Sequence, residues 1–276
     1  STDGGVTFTT VDIFTGAQAS GQSGEIRWPD VSVSGDTVHM VGVAAYYPSY
    51  PNWSGVHQKS TDGGQTFDLR TIYSGESSAI PSISHSGDNV YIAWERQHLT
   101  GQDPPPGSNP DSEPMFVKST NGGASFSSQS AILSGGSWVY TGYFDIVSSG
   151  GNVHIVNNSQ YGFDYWRSTD NGNTFSSVLS DLTTTWSGSQ GYYGYPSIAT
   201  SGPDVYIAYA PQADDVFFVK STDSGQTFGA PISNFPGDGE PAIAASGNTI
   251  VIAFETNSGN IYLLKSTDRG QDQFVQ

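Results

Sequence analysis

Short runs rich in β-branched and aromatic residues recur along the chain, each bounded by Gly, Ser or Pro. Such runs are typical of β-strands. Five of them follow a shared phrase that resembles Pro-Ser-Ile-x-x-Ser-Gly, and they occupy residues 38–45, 90–95, 153–156, 205–209 and 250–254. In each repeat a third run leads into a turn and a fourth leaves it, and no sustained helical period appears. The pattern predicts an all-β chain with four antiparallel strands in each repeat.

A second phrase marks the turn between the third and fourth strands. Its six copies occupy residues 1–8 (STDGGVTF), 60–67 (STDGGQTF), 119–126 (STNGGASF), 168–175 (STDNGNTF), 221–228 (STDSGQTF) and, in a longer form, 266–274 (STDRGQDQF). Asp or Asn followed by Gly favours a tight turn, since Gly adopts positive φ without strain. We expect the carboxylate to accept hydrogen bonds from N–H groups of its own turn and the Phe to pack beneath it. The phrase therefore predicts a structural role, and not a catalytic or metal-binding one, for Asp3, Asp62, Asn121, Asp170, Asp223 and Asp268.

The phrase S-x-D-x-G-x-T-F is the Asp-box, and the chain resembles the Asp-box (BNR-repeat, sialidase-like) β-propellers over its full length. The resemblance implies one domain, residues 1–276, with four-stranded blades arranged around a central channel. The repeats predict five blades, near residues 27–74, 76–134, 139–182, 193–233, and 238–276 together with 1–15. The N-terminal strand would then pair in the last blade and close the ring without open edges. Sialidases have six blades, so a six-bladed ring is the alternative.

The rim opposite the Asp-boxes is the predicted binding surface. First strands line the channel of such a propeller, and the loops on this rim are irregular in sequence, whereas the box rim is uniform. Loops on a rigid scaffold often carry binding residues, and Tyr and Trp combine a flat apolar face with a polar tip. Filling of gaps between blades is the alternative role for these aromatic residues. The candidate ligand-binding residues are Arg27, Trp28, Trp53, Arg96, Tyr143 and Tyr193.

Carboxylates near the channel are candidates for chemistry. Alignment of the first strands gives one column of residues at the channel mouth: Asp30, Ser82, Asp145, Ser197 and Ala242. Asp30 and Asp145 interrupt the small residues of this column, and Glu95 ends a second strand. Two carboxylates around a pocket can act as acid and base, or as nucleophile, on a glycosidic bond. The alternatives are that these acids bind water, a structural cation or another ligand.

The resemblance also implies a specific test of sialidase chemistry. That family holds a substrate carboxylate with three arginines, whose guanidinium groups bind it bidentately, and uses a Tyr nucleophile paired with Glu and an Asp acid. Here Arg27-Trp28-Pro29 resembles the family's R-x-P motif, and of five arginines only Arg27 and Arg96 fall where they could reach the aromatic rim. Two arginines do not form that site, and no Tyr–Glu pair is evident in the sequence. Sialidase activity is therefore not expected.

Composition narrows the classes of partner. Nine Lys and Arg against 26 Asp and Glu give a net charge of −17, which argues against nucleic acid because phosphate binding needs clustered cations. The absence of Cys excludes a disulfide scaffold and a thiolate metal site, while Ca²⁺ binding by the acidic segments 103–111 and 214–215 stays open. No run of 18 apolar residues occurs, so we expect no transmembrane helix and no membrane insertion.

These observations together predict an extracellular or cell-surface protein, either secreted in mature form or part of a larger chain, because its surface is acidic, poor in Lys and rich in Ser and Thr. We expect a non-catalytic propeller that binds a glycan or an extracellular protein on its aromatic rim, or that serves as a scaffold. A glycoside hydrolase, sialidase-like or other, that uses the channel-mouth carboxylates is the alternative. His39 and His154 occupy second-strand positions where other repeats carry Tyr, which indicates a structural role for both.

Overall fold

A computed structural model describes residues 7, 10, 24–46, 53–76, 80–97, 112–132, 143–159, 162–179, 195–212, 215–237, 240–256, 258–271 and 274. Within these ranges the chain is all-β, and its strands form five antiparallel sheets. None of these residues belongs to a helix with the length and hydrophobicity needed to cross a bilayer. In every sheet the strands follow chain order, so that consecutive strands are neighbours.

The first three sheets have four strands each. Their strands are β1 (Gly24–Ser34), β2 (Thr37–Tyr46), β3 (Trp53–Ser60) and β4 (Asp68–Glu76); β5 (Ser82–Ser86), β6 (Asn89–Gln97), β7 (Ser112–Ser119) and β8 (Ser130–Ala131); and β9 (Phe144–Ser149), β10 (Asn152–Ser159), β11 (Gly162–Ser168) and β12 (Ser176–Leu179). The fourth and fifth sheets have four and three strands within the described ranges. They comprise β13 (Ser197–Ser201), β14 (Asp204–Gln212), β15 (Asp215–Ser221) and β16 (Ile232–Pro236); and β17 (Ala242–Ser246), β18 (Thr249–Glu255) and β19 (Ile261–Ser266).

The hydrophobic core lies between consecutive sheets. Val41 and Val43 of the first sheet pack against Ile92 and Trp94 of the second, and each later pair of consecutive sheets shares a cluster of the same kind. Full burial of one such side chain stabilises the fold by about 1.5–3 kcal/mol. The first strands of consecutive sheets also contact one another, from β1 through β5, β9 and β13 to β17. The sheets therefore follow one another with their first strands innermost, as in a propeller.

Hydrogen bonds between inner strands reinforce this stacking. In each of these bonds, which we call latches, a side-chain oxygen on one inner strand accepts an N–H of the inner strand of the next sheet. Donor and acceptor lie 2.8–3.4 Å apart in the pairs Ile83 to Asp30, His85 to Ser32, Ser148 to Ser84, Ile198 to Asp145 and Ile243 to Ser197. The latches hold consecutive inner strands in a fixed register.

The Asp-box is a compact turn closed by its own side chains. In the first sheet Asp62 Oδ1 accepts the N–H groups of Gln65 and Thr66 at 2.9 Å, and Asp62 Oδ2 accepts the Thr66 hydroxyl at 2.6 Å. Hydrogen bonds from Thr66 and Ser60 hold the pKa of Asp62 well below its usual range. Asp170 and Asp223 make the same bonds, and in Asn121 and Asp268 the Oδ1 atom accepts a turn N–H. The remaining box residue, Asp3, lies outside the described residues.

Four of the Asp-boxes also contact the sheet that precedes them. The box Phe packs edge-on against the ring at one position of the preceding third strand, with centroids 4.9–5.1 Å apart, in the pairs Phe126 with His57, Phe175 with Phe116, Phe228 with Tyr165 and Phe274 with Phe218. Edge-to-face packing of this kind is worth about 0.5–1.5 kcal/mol beyond area burial. We call this position the docking position.

The described residues do not include the contacts that would close the predicted ring. The predicted pairing of residues 1–15 with the last sheet falls mostly outside them, since only Thr7 and Thr10 of that segment are described. Contacts between inner strands run from the first sheet to the fifth. The closed five-bladed ring and its six-bladed alternative remain predictions.

Candidate functional site

The two rims of the molecule are distinguished by the Asp-boxes. Each box lies against the turn between the first two strands of its own sheet: the N–H of Gly63 donates to the carbonyl of Asp36 at 2.9 Å, and the N–H of Gly122 to that of Asp88 at 2.8 Å. The beginnings of the inner strands therefore lie at the opposite rim, because an inner strand ends at the turn that the box covers. This second rim is the surface on which the sequence predicts binding.

One residue at the start of each inner strand occupies the same register position, two residues before the predicted channel-mouth column. We call this set the mouth ring, and it consists of Trp28, Ile80, Tyr143, Tyr195 and Glu240. A proline follows four of its five members. Proline disfavours helical backbone at the residue before it. Ile80, Tyr195 and Glu240 are therefore expected to enter their strands in an extended conformation, whereas Trp28 does not.

Three members of the mouth ring, from consecutive sheets, contact one another. The rings of Tyr143 and Tyr195 lie edge-on, with centroids 3.6 Å apart, and Tyr195 hydrogen-bonds both Tyr143 and Glu240. The backbone of Tyr143 is fixed in turn by Asn158, whose side-chain oxygen accepts the Tyr143 N–H at 3.0 Å. The cluster thus places two aromatic rings and one carboxylate at the starts of three consecutive inner strands.

The charge state of this cluster follows from its surroundings. Burial, together with hydrogen bonds to Tyr143 and Glu240, raises the pKa of Tyr195, so the phenol stays neutral and can donate. Burial also raises the pKa of Glu240, and the hydrogen bond from Tyr195 offsets part of that rise because it stabilises the carboxylate. Burial therefore disfavours charge on both groups, while the hydrogen bond from Tyr195 favours the carboxylate form of Glu240.

Trp28 lies in a strained conformation beside Arg27. Its φ is +48°, in a region that costs an L-residue about 1–2 kcal/mol. The register of β1 and β2 shifts between Arg27 and Asp30, which marks a bulge there, and the Trp28 side chain packs against the core between the first two sheets. Strain that the surrounding structure holds in place often accompanies ligand sites.

The predicted catalytic carboxylates Asp30 and Asp145 are both acceptors of latch bonds. Asp30 Oδ2 accepts the Ser82 hydroxyl and the Ile83 N–H, each at 2.8 Å. In the same way Asp145 Oδ2 accepts the Ser197 hydroxyl at 2.9 Å. Burial, and to a lesser extent the charge of Asp30, raises the pKa of Asp145 to about 6. Both carboxylates thus have structural partners, and they lie near enough to interact electrostatically.

Asp145→Asn is expected to stabilise the protein at alkaline pH. A carboxyl whose folded-state pKa lies above its unfolded value weakens the folded state as it ionises, here as the pH rises from about 4 to 6. Asn is neutral and keeps an oxygen that can accept from Ser197 and Ile198. We expect its free energy of unfolding to exceed that of the wild type by about 1–2 kcal/mol at pH 8, and to match it at pH 4.

Urea unfolding at both pH values measures this difference. The exposed Asp215→Asn serves as the control, with a change below about 0.5 kcal/mol at either pH. Equal stability of Asp145→Asn and wild type at pH 8 would show that ionisation of Asp145 does not weaken the folded state.

The remaining predicted site residues are Glu95, Arg96, Trp53 and Tyr193. Glu95 is buried and pairs with Pro114 across β6 and β7, and the neighbouring Arg96 is half-buried. Trp53 begins β3, but its side chain is not described, and Tyr193 lies outside the described residues. The sequence therefore predicted Tyr143 of the cluster, but it did not single out Tyr195 or Glu240. Their equivalent positions at the starts of aligned first strands are the signal that could have revealed them.

No metal centre is evident in the described ranges, where no three His, Asp or Glu side chains converge in a way that could hold an ion. The predicted Ca²⁺ segment 103–111 is not described, and of the second segment only Asp215 is. A cavity of about 190 Å³ opens instead on the box side, with Lys59, Arg70 and Asp68 among its lining residues. It shares no residue with the mouth ring.

Comparison with known proteins gives matches among solved structures alone. No family model matches the chain, and neither does any curated protein. Trypanosoma rangeli sialidase, in complex with the inhibitor DANA, is 14% identical with a TM-score of 0.61, and the match covers 88% of this chain and 47% of that one. A NanB structure is 10% identical with a TM-score of 0.66 (91% and 60% covered), and a Dyadobacter fermentans protein of unknown function is 16% identical with a TM-score of 0.63 (90% and 80% covered).

These identities are low, and the chain spans about half the length of the T. rangeli sialidase. The likeness therefore concerns the arrangement of the sheets and not their chemistry. Together with the succession of antiparallel sheets around their first strands, it shows that the chain has the fold of a sialidase-like β-propeller.

Proposed function

We propose that this protein is an extracellular, non-catalytic carbohydrate-binding propeller of the Asp-box type, whose ligand lies against Tyr143, Tyr195 and Glu240. The observation that supports this function is the hydrogen-bonded cluster itself, in which two rings and a carboxylate converge at the channel mouth. An aromatic ring can stack on the apolar face of a sugar, and phenol and carboxylate oxygens suit its hydroxyl groups.

The charge around the cluster favours a neutral or amine-bearing sugar. Glu240 belongs to the cluster, and Asp30 and Asp145 line the next position of the channel. The whole chain carries a net charge of −17. An acidic sugar would be repelled by these carboxylates, whereas a hydroxyl or ammonium group could donate to Glu240.

The positions of the arginines also argue against an acidic ligand. Structures of T. rangeli sialidase include a complex with sialic acid, but an acidic ligand of that kind needs cations. In the present chain Arg269 is paired with Asp204, with Nε and Oδ2 2.7 Å apart, and Arg70 borders the box-side cavity. Arg167 lies in β11 near the box end of its strand. Only Arg27 and Arg96 remain for the opposite rim, too few for the three-arginine arrangement.

A glycan array followed by calorimetry tests this function. We expect binding to neutral or amino sugars, and at least a tenfold loss of affinity in Tyr195→Phe and Glu240→Gln, which corresponds to about 1.4 kcal/mol for a lost charge-assisted hydrogen bond. Tyr262→Phe, on the partly exposed β19, is the matched control and should bind as the wild type does. Unchanged affinity in both cluster variants, or binding restricted to acidic glycans, would contradict the proposal.

A glycoside hydrolase is the second candidate, supported by the hydrogen bond between Tyr195 and Glu240 and by the raised pKa of Asp145. The resemblance described above implies a Tyr nucleophile paired with Glu, and an acid with a pKa of about 6 could protonate a leaving group. Hydrolysis of fluorogenic aryl glycosides that is lost in Tyr195→Phe would favour this candidate over simple binding. The latch bonds of Asp145 argue against it, because they orient its oxygen towards the next sheet.

A further inference from the structure

The third strand of the fifth sheet exposes apolar side chains, whereas the described third strands of the other sheets do not. On β19, Ile261 is 72% and Leu263 56% exposed. Leu263 occupies the docking position, three residues before the box Ser, where His57, Phe116, Tyr165 and Phe218 are each at most 3% exposed. On the inner strand β17, the side chains of alternate residues are also exposed.

In every earlier sheet, the Asp-box of the following sheet covers the docking position. The box Phe provides the cover, and in the second and fourth sheets a lysine of the covered strand adds a second contact. Lys118 Nζ donates to the carbonyl of Asn171 at 3.1 Å, and Lys220 Nζ to that of Arg269 at 2.7 Å. In each case the acceptor is the residue that follows the box Asp. Lys265 is the equivalent lysine on β19.

The chain contains one Asp-box that none of the five sheets uses. Five of its six boxes follow β3, β7, β11, β15 and β19. The sixth is residues 1–8, which precedes every described strand. It cannot serve as the box of the fifth sheet, because Phe274 already fills that place and packs on Phe218.

We propose that this N-terminal Asp-box, residues 1–8, docks on the exposed face of β19. Phe8 then packs on Leu263, as the box Phe packs on the docking position of each earlier sheet, and Lys265 Nζ donates to the carbonyl of Gly4, as Lys118 and Lys220 do in their sheets. Residues 9–23 join the box to β1, and a stretch of this length can extend to about 50 Å, so the chain between them permits the contact. The box therefore holds a sixth blade position after the fifth sheet and does not merely extend the fifth sheet.

Cysteine cross-linking tests the contact without background, because the chain has no Cys of its own. Phe8→Cys combined with Leu263→Cys is expected to form an intramolecular disulfide in dilute solution. Phe8→Cys combined with Val33→Cys, on the exposed face of β1, is the matched control and should not. A disulfide that links two chains, or one that forms equally in the control pair, overturns the assignment to this chain's own box.

Hydrogen exchange provides a second measurement in case the cysteine variants fold poorly. Deletion of residues 1–8 should increase amide exchange in β19 at least tenfold and leave β7 and β11 unchanged, since these strands have their own boxes. A synthetic peptide of residues 1–8, added to the deleted protein, should restore the protection, and a peptide with Phe8→Ala should not. Unchanged exchange in β19 after the deletion overturns the proposal.

Discussion

Gly225→Ala is expected to lower the free energy of unfolding by about 3 kcal/mol. Gly225 lies two residues after the Asp of the Asp-box in the fourth sheet and has φ = +77°. A Cβ atom there would overlap the hydroxyl of Tyr165 and lie 3.2 Å from His154 Nδ1. Tyr165 is fully buried, and its hydroxyl lies 2.7 Å from that nitrogen, so it has no room to move away. The cost combines left-handed backbone with overpacking of the interface between two sheets.

Gly64→Ala separates these two contributions. Gly64 has the same place in the box of the first sheet and φ = +87°, but an added Cβ would meet no described atom closer than 3.8 Å. Gly64→Ala should therefore lower the free energy of unfolding only by the contribution of the left-handed backbone, about 1 kcal/mol. Guanidinium unfolding of both variants measures the difference, and equal losses would show that contact between box and preceding sheet contributes nothing to this position.

Local features of the fold were predictable from the sequence because their causes are local. Strand runs and Asp-box turns depend on residues within a few positions, and Asp62, for example, bonds groups three and four residues away. Turn chemistry also explained the positive φ of the box glycines. It did not reveal that Gly225 faces Tyr165 of another sheet, because that proximity depends on packing between repeats.

The candidate site was predicted only in part for the same reason. Alignment of the repeats placed Asp30 and Asp145 in one column, but their partners Ser82 and Ser197 belong to the next sheet, 52 residues along the chain. A carboxylate at a channel mouth suggests catalysis when considered alone, and the structure adds the donors that engage it. The contact of Tyr195 with Glu240 likewise joins two repeats, so no local motif predicted it.

Three histidines, of which His39 and His57 are buried and His85 half-buried, form a cluster between the first two sheets. His39 Nδ1 and His57 Nε2 lie 2.9 Å apart, and the ring of His85 lies 4.9 Å from that of His39. Burial, followed by the charge of a neighbouring histidine, lowers the pKa of His39 to about 4 and that of His57 to about 3. Lys59 and, for His57, Arg70 add to this effect. His39 and His57 are therefore neutral in the folded state over most of the acidic range.

Mild acid is expected to weaken the packing of the first two sheets through this cluster. Each histidine has a folded-state pKa below its unfolded value of about 6.5, so the unfolded chain binds protons first as the pH falls. The stability that the neutral cluster provides is complete above pH 6.5 and is lost progressively down to pH 4 and below. The lowering of the His39 pKa by itself corresponds to about 3 kcal/mol of folding stability.

The second sheet suggests the substitutions that test this prediction. The positions of His39 and His57 are occupied by Tyr91 and Phe116 in the second sheet, where the two rings stack with centroids 6.2 Å apart. His39→Tyr combined with His57→Phe should therefore preserve packing while removing two of the titrating groups. We expect the variant to exceed the wild type in free energy of unfolding by about 3 kcal/mol more at pH 4 than at pH 7. Thermal unfolding between these pH values measures the difference, and parallel curves would show that the cluster does not control acid stability.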